Sequence, residues 1–103
     1  RFFVAETGDG LVGYLGCWVV AAEMQVVDLA VRTDARRRGI ASRLLRRAFV
    51  CAGNELLRAY LEVRRSNQAA IEMYERFGFR RASVRRGYYD DPKEDALLME
   101  WEM

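Results

Sequence analysis

The sequence predicts an α/β domain in which a mixed β-sheet carries helices packed on its faces. Two observations lead to this prediction. Apolar, β-branched runs separated by turn formers open the chain, and two stretches of helical periodicity follow, each preceded by a strand-like run. Strands that first form hairpins and then alternate with helices produce a sheet with both parallel and antiparallel neighbours. The chain has 103 residues, enough for one hydrophobic core, so we expect a single domain over residues 1–103.

The first half of the chain is predicted to form three strands and a helix. Residues 2–5 and 11–20 flank a group of turn formers and form a hairpin, and residues 26–31 form a third strand. Charged residues at 33–38 then interrupt the pattern. Apolar residues recur with helical spacing after this interruption, and Gly53 ends the predicted helix. They are Ala41, Leu44, Leu45, Ala48, Phe49 and Ala52.

The second half is predicted to form a strand, a helix and two further strands. Residues 59–63 are the strand, and Ser66 or Asn67 is the expected N-cap of the helix. Its apolar face consists of Ala70, Ile71, Tyr74 and Phe77, and Gly78 suits its C-terminal end. Residues 79–84 and 96–101 are the last two strands. The predicted order is therefore β-β-β-α-β-α-β-β.

Composition limits the classes of partner. The net charge is +2, and every basic residue except Lys93 is arginine, whose planar guanidinium suits phosphate oxygens. We therefore expect an anionic ligand. No histidine is present, and Cys17 and Cys51 lack metal-ligand spacing, so we expect no metal and a reducing, cytoplasmic setting. The longest apolar run, at 15–22, is too short to span a bilayer, and no recognised nucleic-acid motif is present; we expect neither membrane nor nucleic acid as a partner.

The strongest local motif lies between the third predicted strand and the first helix. A helix N-terminus presents free N–H groups, and a glycine there lets a pyrophosphate approach the backbone, while arginines add charge-assisted hydrogen bonds. The candidate phosphate-binding residues are Arg36, Arg37, Arg38, Gly39, Ile40, Ala41 and Ser42. The alternative interpretation is a solvated basic turn. Arg43, Arg46 and Arg47 continue the positive charge and either reach a further phosphate or form an exposed helix face.

With these residues in view, the chain resembles the GCN5-related N-acetyltransferase (GNAT) family. Arg36-x-x-Gly39-x-Ala41 matches the family's Gln/Arg-x-x-Gly-x-Gly/Ala motif for acetyl-coenzyme A. The closer resemblance is to the RimI type, and it extends over nearly everything from Val27 onward. It rests on residues 27–31, on Leu-Glu-Val-Arg at 61–64 with the segment from Ser66 to Phe79, and on the stretches 85–89 and 94–96.

The resemblance implies a GNAT fold with a mostly antiparallel mixed sheet. It also implies an acetyltransferase activity. RimI-type enzymes acetylate the N-terminal α-amine of proteins, in bacteria notably an alanine of a small-subunit ribosomal protein. Family members usually begin with a further strand and two helices that form one wall of the acceptor groove, whereas this sequence begins at about the second strand. Acceptor specificity is therefore less certain than binding of acetyl-CoA. Homodimerisation through open strand edges or exposed apolar surface is a further expectation.

The resemblance also assigns roles to single residues. Glu62 is the general base, acting through water, and Tyr74 is the general acid near the cofactor sulfur. Asn67 hydrogen-bonds the cofactor arm, and the backbone of Leu29, Ala30 and Val31 lines the pantetheine. Tyr88 and Tyr89 match a tyrosine pair that holds the acceptor's backbone.

Each of these residues also has a plainer interpretation. An unpaired carboxylate on an interior strand is costly, and an ion pair of Glu62 with a nearby arginine such as Arg64 would offset that cost without any catalytic role. Tyr74 fits an ordinary core position, Asn67 a helix cap, and the tyrosine pair ordinary loop packing. For the whole chain, the alternatives are acetylation of a small-molecule amine or a lysine, and a non-catalytic coenzyme A binding module.

Overall fold

A computed structural model describes all residues from 1 to 103. It contains six strands and two helices in the predicted order. The strands are β1 (Phe2–Thr7), β2 (Gly10–Val20), β3 (Glu23–Val31), β4 (Arg58–Arg64), β5 (Arg80–Tyr89) and β6 (Glu94–Glu102). The helices are α1 (Ile40–Ala52) and α2 (Gln68–Phe77), and a short 3-10 helix at Thr33–Ala35 lies within the charged interruption. All six strands are longer than predicted; in particular, β3 begins three residues earlier, and β5 continues to Tyr89.

The six strands form one sheet in the order β1-β2-β3-β4-β6-β5. All neighbouring pairs are antiparallel except β3 and β4, which run parallel because α1 connects them. The predicted mixed, mostly antiparallel sheet is confirmed. Neither helix has the length and apolar character needed to cross a membrane.

The parallel pair β3–β4 is joined only at its beginning. Three residue pairs connect the strands, from Glu23 with Arg58 to Gln25 with Tyr60. Immediately afterwards β3 carries a bulge, because Cys17 of β2 pairs with Val26 and Gly16 pairs with Asp28, which leaves Val27 without a partner on β2. A bulge bends its strand and increases the local twist. We attribute the separation of β3 from β4 beyond Gln25 to this bulge.

Both helices contribute to one hydrophobic core. Helix α1 buries Ile40, Leu44, Leu45 and Ala48, in agreement with the predicted periodicity, and α2 buries Ile71 and Tyr74. The ring of Phe49 from α1 contacts three other aromatic rings, with centroid distances of 5.0 Å to Phe77, 6.2 Å to Phe79 and 4.8 Å to Trp101. This aromatic cluster packs α1 against α2 and against strand β6.

Candidate active site

A cleft of about 1060 Å³ opens where β3 and β4 separate. We call it the β3–β4 cleft. Strand β3 lines one side over residues 26–31, strand β4 lines the other over residues 61–64, and the beginning of α1 and one face of α2 complete the walls. Most of the residues singled out from the sequence therefore line the same cavity, although they come from five different elements and the loops between them.

The beginning of α1 forms one end of the cleft. Gly39 is the residue before the helix and has a left-handed conformation, with φ of 74°. The first helical hydrogen bond is donated by Arg43 N–H to the Gly39 carbonyl at 3.0 Å, so the N–H groups of Ile40, Ala41 and Ser42 have no acceptor within the chain. No acidic side chain occupies the first turn and no side chain caps it. These N–H groups and the helix dipole are therefore available to an anion.

Glycine at position 39 allows the left-handed backbone conformation and also leaves the turn accessible to a ligand. A residue that carries a side chain is strained when its φ lies in the left-handed region, and only glycine adopts this conformation without cost. A Cβ atom placed at Gly39 would have no heavy atom within 4 Å, so the space in front of the backbone is open. A ligand phosphate can thus come into direct contact with the peptide groups at this turn.

The three arginines before Gly39 point in different directions. Arg36 and Arg37 line the cleft, and the Arg36 Nε donates to the Val31 carbonyl at 3.1 Å. Arg38 does not line the cleft. Its Nη2 lies 3.4 Å from the Asp34 carbonyl as a hydrogen-bond donor, and its own carbonyl accepts from Arg43 Nη2 at 2.9 Å. Of the candidate phosphate ligands, Arg38 is therefore the one whose side chain is placed outside the cavity.

The backbone of β3 presents polar groups to the cleft. Arg32 N–H donates to the Val12 carbonyl of β2 at 2.7 Å, which directs that peptide group away from β4. Because peptide groups alternate in direction along a strand, the N–H and C=O groups of Leu29 and Val31 point toward the cleft. Ala30 pairs with Tyr14 of β2, so its N–H and C=O groups point toward β2. It lines the cleft without presenting these groups to it.

Glu62 lies near the middle of the β4 wall with its side chain only 18% exposed. Its Oε2 is fully buried and has no hydrogen-bond partner. The carboxylate forms an ion pair with an arginine, as the plainer interpretation expected, but the partner is not Arg64. Instead, Arg85 Nε of β5 lies 3.5 Å from that oxygen, close enough for charge attraction but without hydrogen-bond geometry. A buried carboxylate oxygen without a hydrogen bond is costly, and the attraction of the Arg85 charge offsets part of that cost.

Tyr74 projects from α2 into the cleft opposite this carboxylate wall. The residue is 7% exposed, its ring packs against Phe79 with a centroid distance of 5.8 Å, and its hydroxyl forms no hydrogen bond within the chain. Burial raises the pKa of Tyr74 to about 12, and the nearby acidic groups of Tyr89 and Asp28 add to the effect. The phenol therefore stays protonated at neutral pH and can donate a hydrogen bond.

The remaining predicted residues lie at the edges of the cleft. Asn67 caps α2 by accepting the Ala70 N–H at 3.2 Å, and it also lines the cavity. Tyr89 lines the cavity, and burial raises its pKa, with the charge of Glu62 contributing. Tyr88 lies outside, 48% exposed, with its ring edge-on to that of Tyr89 at 5.0 Å between centroids.

Several lining residues were not among the predicted site residues. Helix α2 contributes five more residues besides Tyr74, and α1 contributes a basic residue one and a half turns after its start. They are Ala69, Ala70, Met73, Arg76, Phe77 and Arg46. The helical periodicity identified Ala70 and Phe77 but not Met73, and it could not distinguish a face that lines a cavity from one buried in the core.

The fold and cleft together define an acyltransferase architecture, with a splayed pair of parallel strands between an open helix N-terminus and a partly buried acid. The chain belongs to the GNAT acetyltransferase family, since the profile described as "Acetyltransferase (GNAT) domain" matches residues 1–81. Acetyl-CoA is the acetyl donor of this family.

Relatives and solved structures agree with this assignment. The chain is 37% identical over 112 residues to an N-alpha-acetyltransferase of Saccharolobus solfataricus, covering 95% of this chain and 66% of the relative. It is 36% identical over 94 residues to the [ribosomal protein bS18]-alanine N-acetyltransferase of Salmonella typhimurium, covering 88% and 64%. The crystal structure of the ribosomal-protein-S18-alanine N-acetyltransferase from Escherichia coli superimposes with a TM-score of 0.89 at 32% identity, covering 99% and 68%. The chain thus spans slightly less than two thirds of the curated relatives it matches.

Proposed function

We propose that this chain forms the catalytic core of an N-acetyltransferase that transfers the acetyl group of acetyl-CoA to the N-terminal α-amine of a protein. The observation that carries the proposal is the β3–β4 cleft, which runs from the free N–H groups of α1 to Glu62 and Tyr74. The names of the archaeal and Salmonella relatives supply the reaction class. A ribosomal protein N-terminus beginning with alanine is therefore the first acceptor to test.

In the proposed complex the pyrophosphate of acetyl-CoA lies against the beginning of α1. The N–H groups of Ile40, Ala41 and Ser42 bind its oxygens, and Arg36 and Arg37 neutralise its charge. The pantetheine arm then extends along β3, where its amides pair with the peptide groups of Leu29 and with the Val31 N–H, since the Val31 carbonyl already accepts from Arg36 Nε. Asn67 supports the arm from the other side through its amide nitrogen, because its oxygen already caps α2. The thioester reaches the region between Glu62 and Tyr74.

Glu62 and Tyr74 have different roles in this scheme. Glu62 accepts a proton from the attacking amine through a water in the cleft that its side chain lines. Tyr74 donates to the leaving sulfur. Since an ordinary thiol has a pKa of about 8.5, well below that of this phenol, Tyr74 contributes mainly a hydrogen bond to the developing thiolate.

An N-terminal amine suits this arrangement better than a lysine. An α-amine has a pKa of about 8, against about 10.4 for lysine, so far more of it is neutral at physiological pH and a modest base is sufficient. Tyr89 and, beside it, Tyr88 form the edge of the cleft where the acceptor's backbone would lie. The unpaired cysteines, Cys17 and Cys51, support a cytoplasmic setting for the reaction. Homodimerisation remains a prediction, which sedimentation analysis can check.

Calorimetry with Gly39→Glu tests the donor site. The substitution places bulk and negative charge where the pyrophosphate approaches, so we expect no measurable binding of acetyl-CoA. Gly39→Gln carries the same backbone strain without the charge and should bind at least about 10-fold better than the Glu variant. Gly8→Glu adds the same charge in the β1–β2 turn, where no atom lies within 4 Å of the added Cβ, and should bind like the parent. Unchanged affinity in Gly39→Glu would refute the site.

Mass spectrometry with a panel of acceptors tests the reaction. The panel contains peptides with free N-termini, the same peptides with blocked N-termini and an internal lysine, and small polyamines. We expect acetylation of the free N-terminal peptides only. If only small amines or lysine are acetylated, the acceptor is not an N-terminal amine and the proposed acceptor is wrong. Binding of acetyl-CoA without turnover on any acceptor would favour a coenzyme A binding module.

A further inference from the structure

We infer that Arg64 is a positioning residue that holds the β5–β6 turn, residues 90–93, and with it the ring of Tyr89 at the mouth of the cleft. The inference rests on the proposed function, because it concerns the acceptor end of the same site. Arg64 lies on β4 two positions after Glu62, so both side chains project from the same face of the strand.

One guanidinium contacts four groups around the turn. Arg64 Nη1 donates to the Pro92 carbonyl at 3.1 Å, and its Nη2 donates to the Asp90 carbonyl at 3.3 Å. Nη1 also contacts Glu94 Oε1 at 3.4 Å. The guanidinium carbon lies 4.4 Å from the centroid of the Tyr89 ring, so the cation covers one face of that ring. The turn is thus bound at both its ends and at the aromatic residue that precedes it.

The turn needs such a contact because it is separated from the regular part of its hairpin. Arg85 pairs with Ala96 and Tyr89 pairs with Glu94, which sets three residues of β5 against a single residue of β6. A bulge of this size interrupts the ladder hydrogen bonds between the sheet and the turn. Within the bulge, the Gly87 N–H donates to Asp95 Oδ1 at 2.9 Å. The hydrogen bonds from Arg64 are made beyond the bulge, to the turn itself, and they connect it to β4, the strand that carries Glu62.

Glu94 extends the connection to the donor side of the site. Its Oε2 accepts the Ser66 N–H at 2.6 Å, directly before the Asn67 cap of α2. Hydrogen bonding by Ser66, first through its side chain and then through this N–H, lowers the pKa of Glu94. Arg64 and Glu94 therefore link the acceptor turn to the start of the helix that carries Tyr74. Lysine could supply the charge but not two carbonyl hydrogen bonds together with a planar surface over the ring.

Hydrogen–deuterium exchange and steady-state kinetics on Arg64→Ala, Arg64→Lys and Arg80→Ala test the inference. Arg80→Ala is the matched control, since it removes an ion pair between β5 and β6 at the opposite end of these strands, 3.2 Å from Glu102. We expect amides of residues 88–94 to exchange about 10-fold faster in Arg64→Ala, as for loss of charge-assisted hydrogen bonds, and to be unchanged in Arg80→Ala. Arg64→Lys should recover only part of the protection.

Kinetics then separate positioning from general damage. We expect Arg64→Ala to raise the KM of the acceptor peptide about 10-fold while the KM of acetyl-CoA and kcat stay within about twofold. Equal exchange in Arg64→Ala and the parent would overturn the inference, as would an equal rise in the KM of both substrates. If the parent chain transfers no acetyl group, the proposed function fails, and the exchange measurement alone still decides whether Arg64 holds the turn.

Discussion

Replacing Tyr74 by phenylalanine should change how stability depends on alkaline pH. The pKa of Tyr74 is raised from 10.0 to about 12 because the phenol is buried in an apolar part of the cleft wall. Between these two values the unfolded chain loses the phenolic proton while the folded chain keeps it. The unfolded state then binds fewer protons than the native state, so the free energy of unfolding falls as pH rises. This contribution is fully present below pH 10 and is lost by about pH 12.

The size of the stability loss follows from the size of the Tyr74 pKa shift. A difference of about 2 pKa units corresponds to about 2.7 kcal/mol, at 1.36 kcal/mol per unit, and at most about 1.4 kcal/mol is lost per pH unit. Phenylalanine has no proton to lose at this position. Near pH 7 the two proteins should differ little, because the Tyr74 hydroxyl makes no hydrogen bond within the chain and its loss leaves no partner unsatisfied.

Urea unfolding followed by tryptophan fluorescence between pH 7 and 11 measures this difference. We expect the parent to lose stability relative to Tyr74→Phe by about 1.4 kcal/mol at pH 11. Absorbance titration of tyrosinate gives an independent check, since the variant should lack the most alkaline of the ionisation steps. A constant difference between the two proteins from pH 7 to 11 would refute the burial argument, and with it the reason for treating this phenol as a persistent donor.

Two further predictions concern the carboxylate and the core. Glu62→Gln should leave acetyl-CoA binding intact but slow transfer about 100-fold, most severely at low pH where less of the acceptor is neutral; a parent-like rate at every pH would rule out Glu62 as the base. Gly13→Ala should lower the free energy of unfolding in urea by about 1–3 kcal/mol, since its Cβ would lie 3.0 Å from the Ala30 carbonyl oxygen and 3.4 Å from Ile40 and Leu44. Gly8→Ala, with no neighbour within 4 Å, is the control and should match the parent.

The order of the elements could be predicted because each has a clear local signal. Helix α1 has an apolar face with regular spacing between two glycines, and α2 has an asparagine cap and a terminal glycine. The full length of β5 could not be predicted. Its residues are mostly exposed and do not alternate, and a three-residue bulge interrupts its pairing with β6, so the sequence lacks the period-two pattern that marks a strand.

The site could be predicted in composition but not in orientation. A run of three arginines before a glycine indicates an anion site, but only the backbone decides which of them face it. Arg37 and Gly39 both have left-handed conformations, with φ of 67° and 74°, and this turn directs Arg38 away from the cleft. Likewise, Arg64 is the arginine nearest to Glu62 in the sequence, but it binds the β5–β6 turn. Arg85, 23 positions after Glu62, faces the carboxylate instead.

The bulge at Val27 connects the fold to the proposed reaction. If β3 continued beside β4, the peptide groups of Leu29 and Val31 would complete a parallel ladder and no cleft would exist. The bulge removes those hydrogen bonds. Arg36 Nε satisfies the Val31 carbonyl, and because the other groups face an open cavity, water can satisfy them at modest cost. An extended ligand with amide groups can take the place of that water and pair as a strand would. We therefore expect the register of the β2–β3 pairing, which sets where the two strands separate, to determine how far along the cleft a bound thioester reaches.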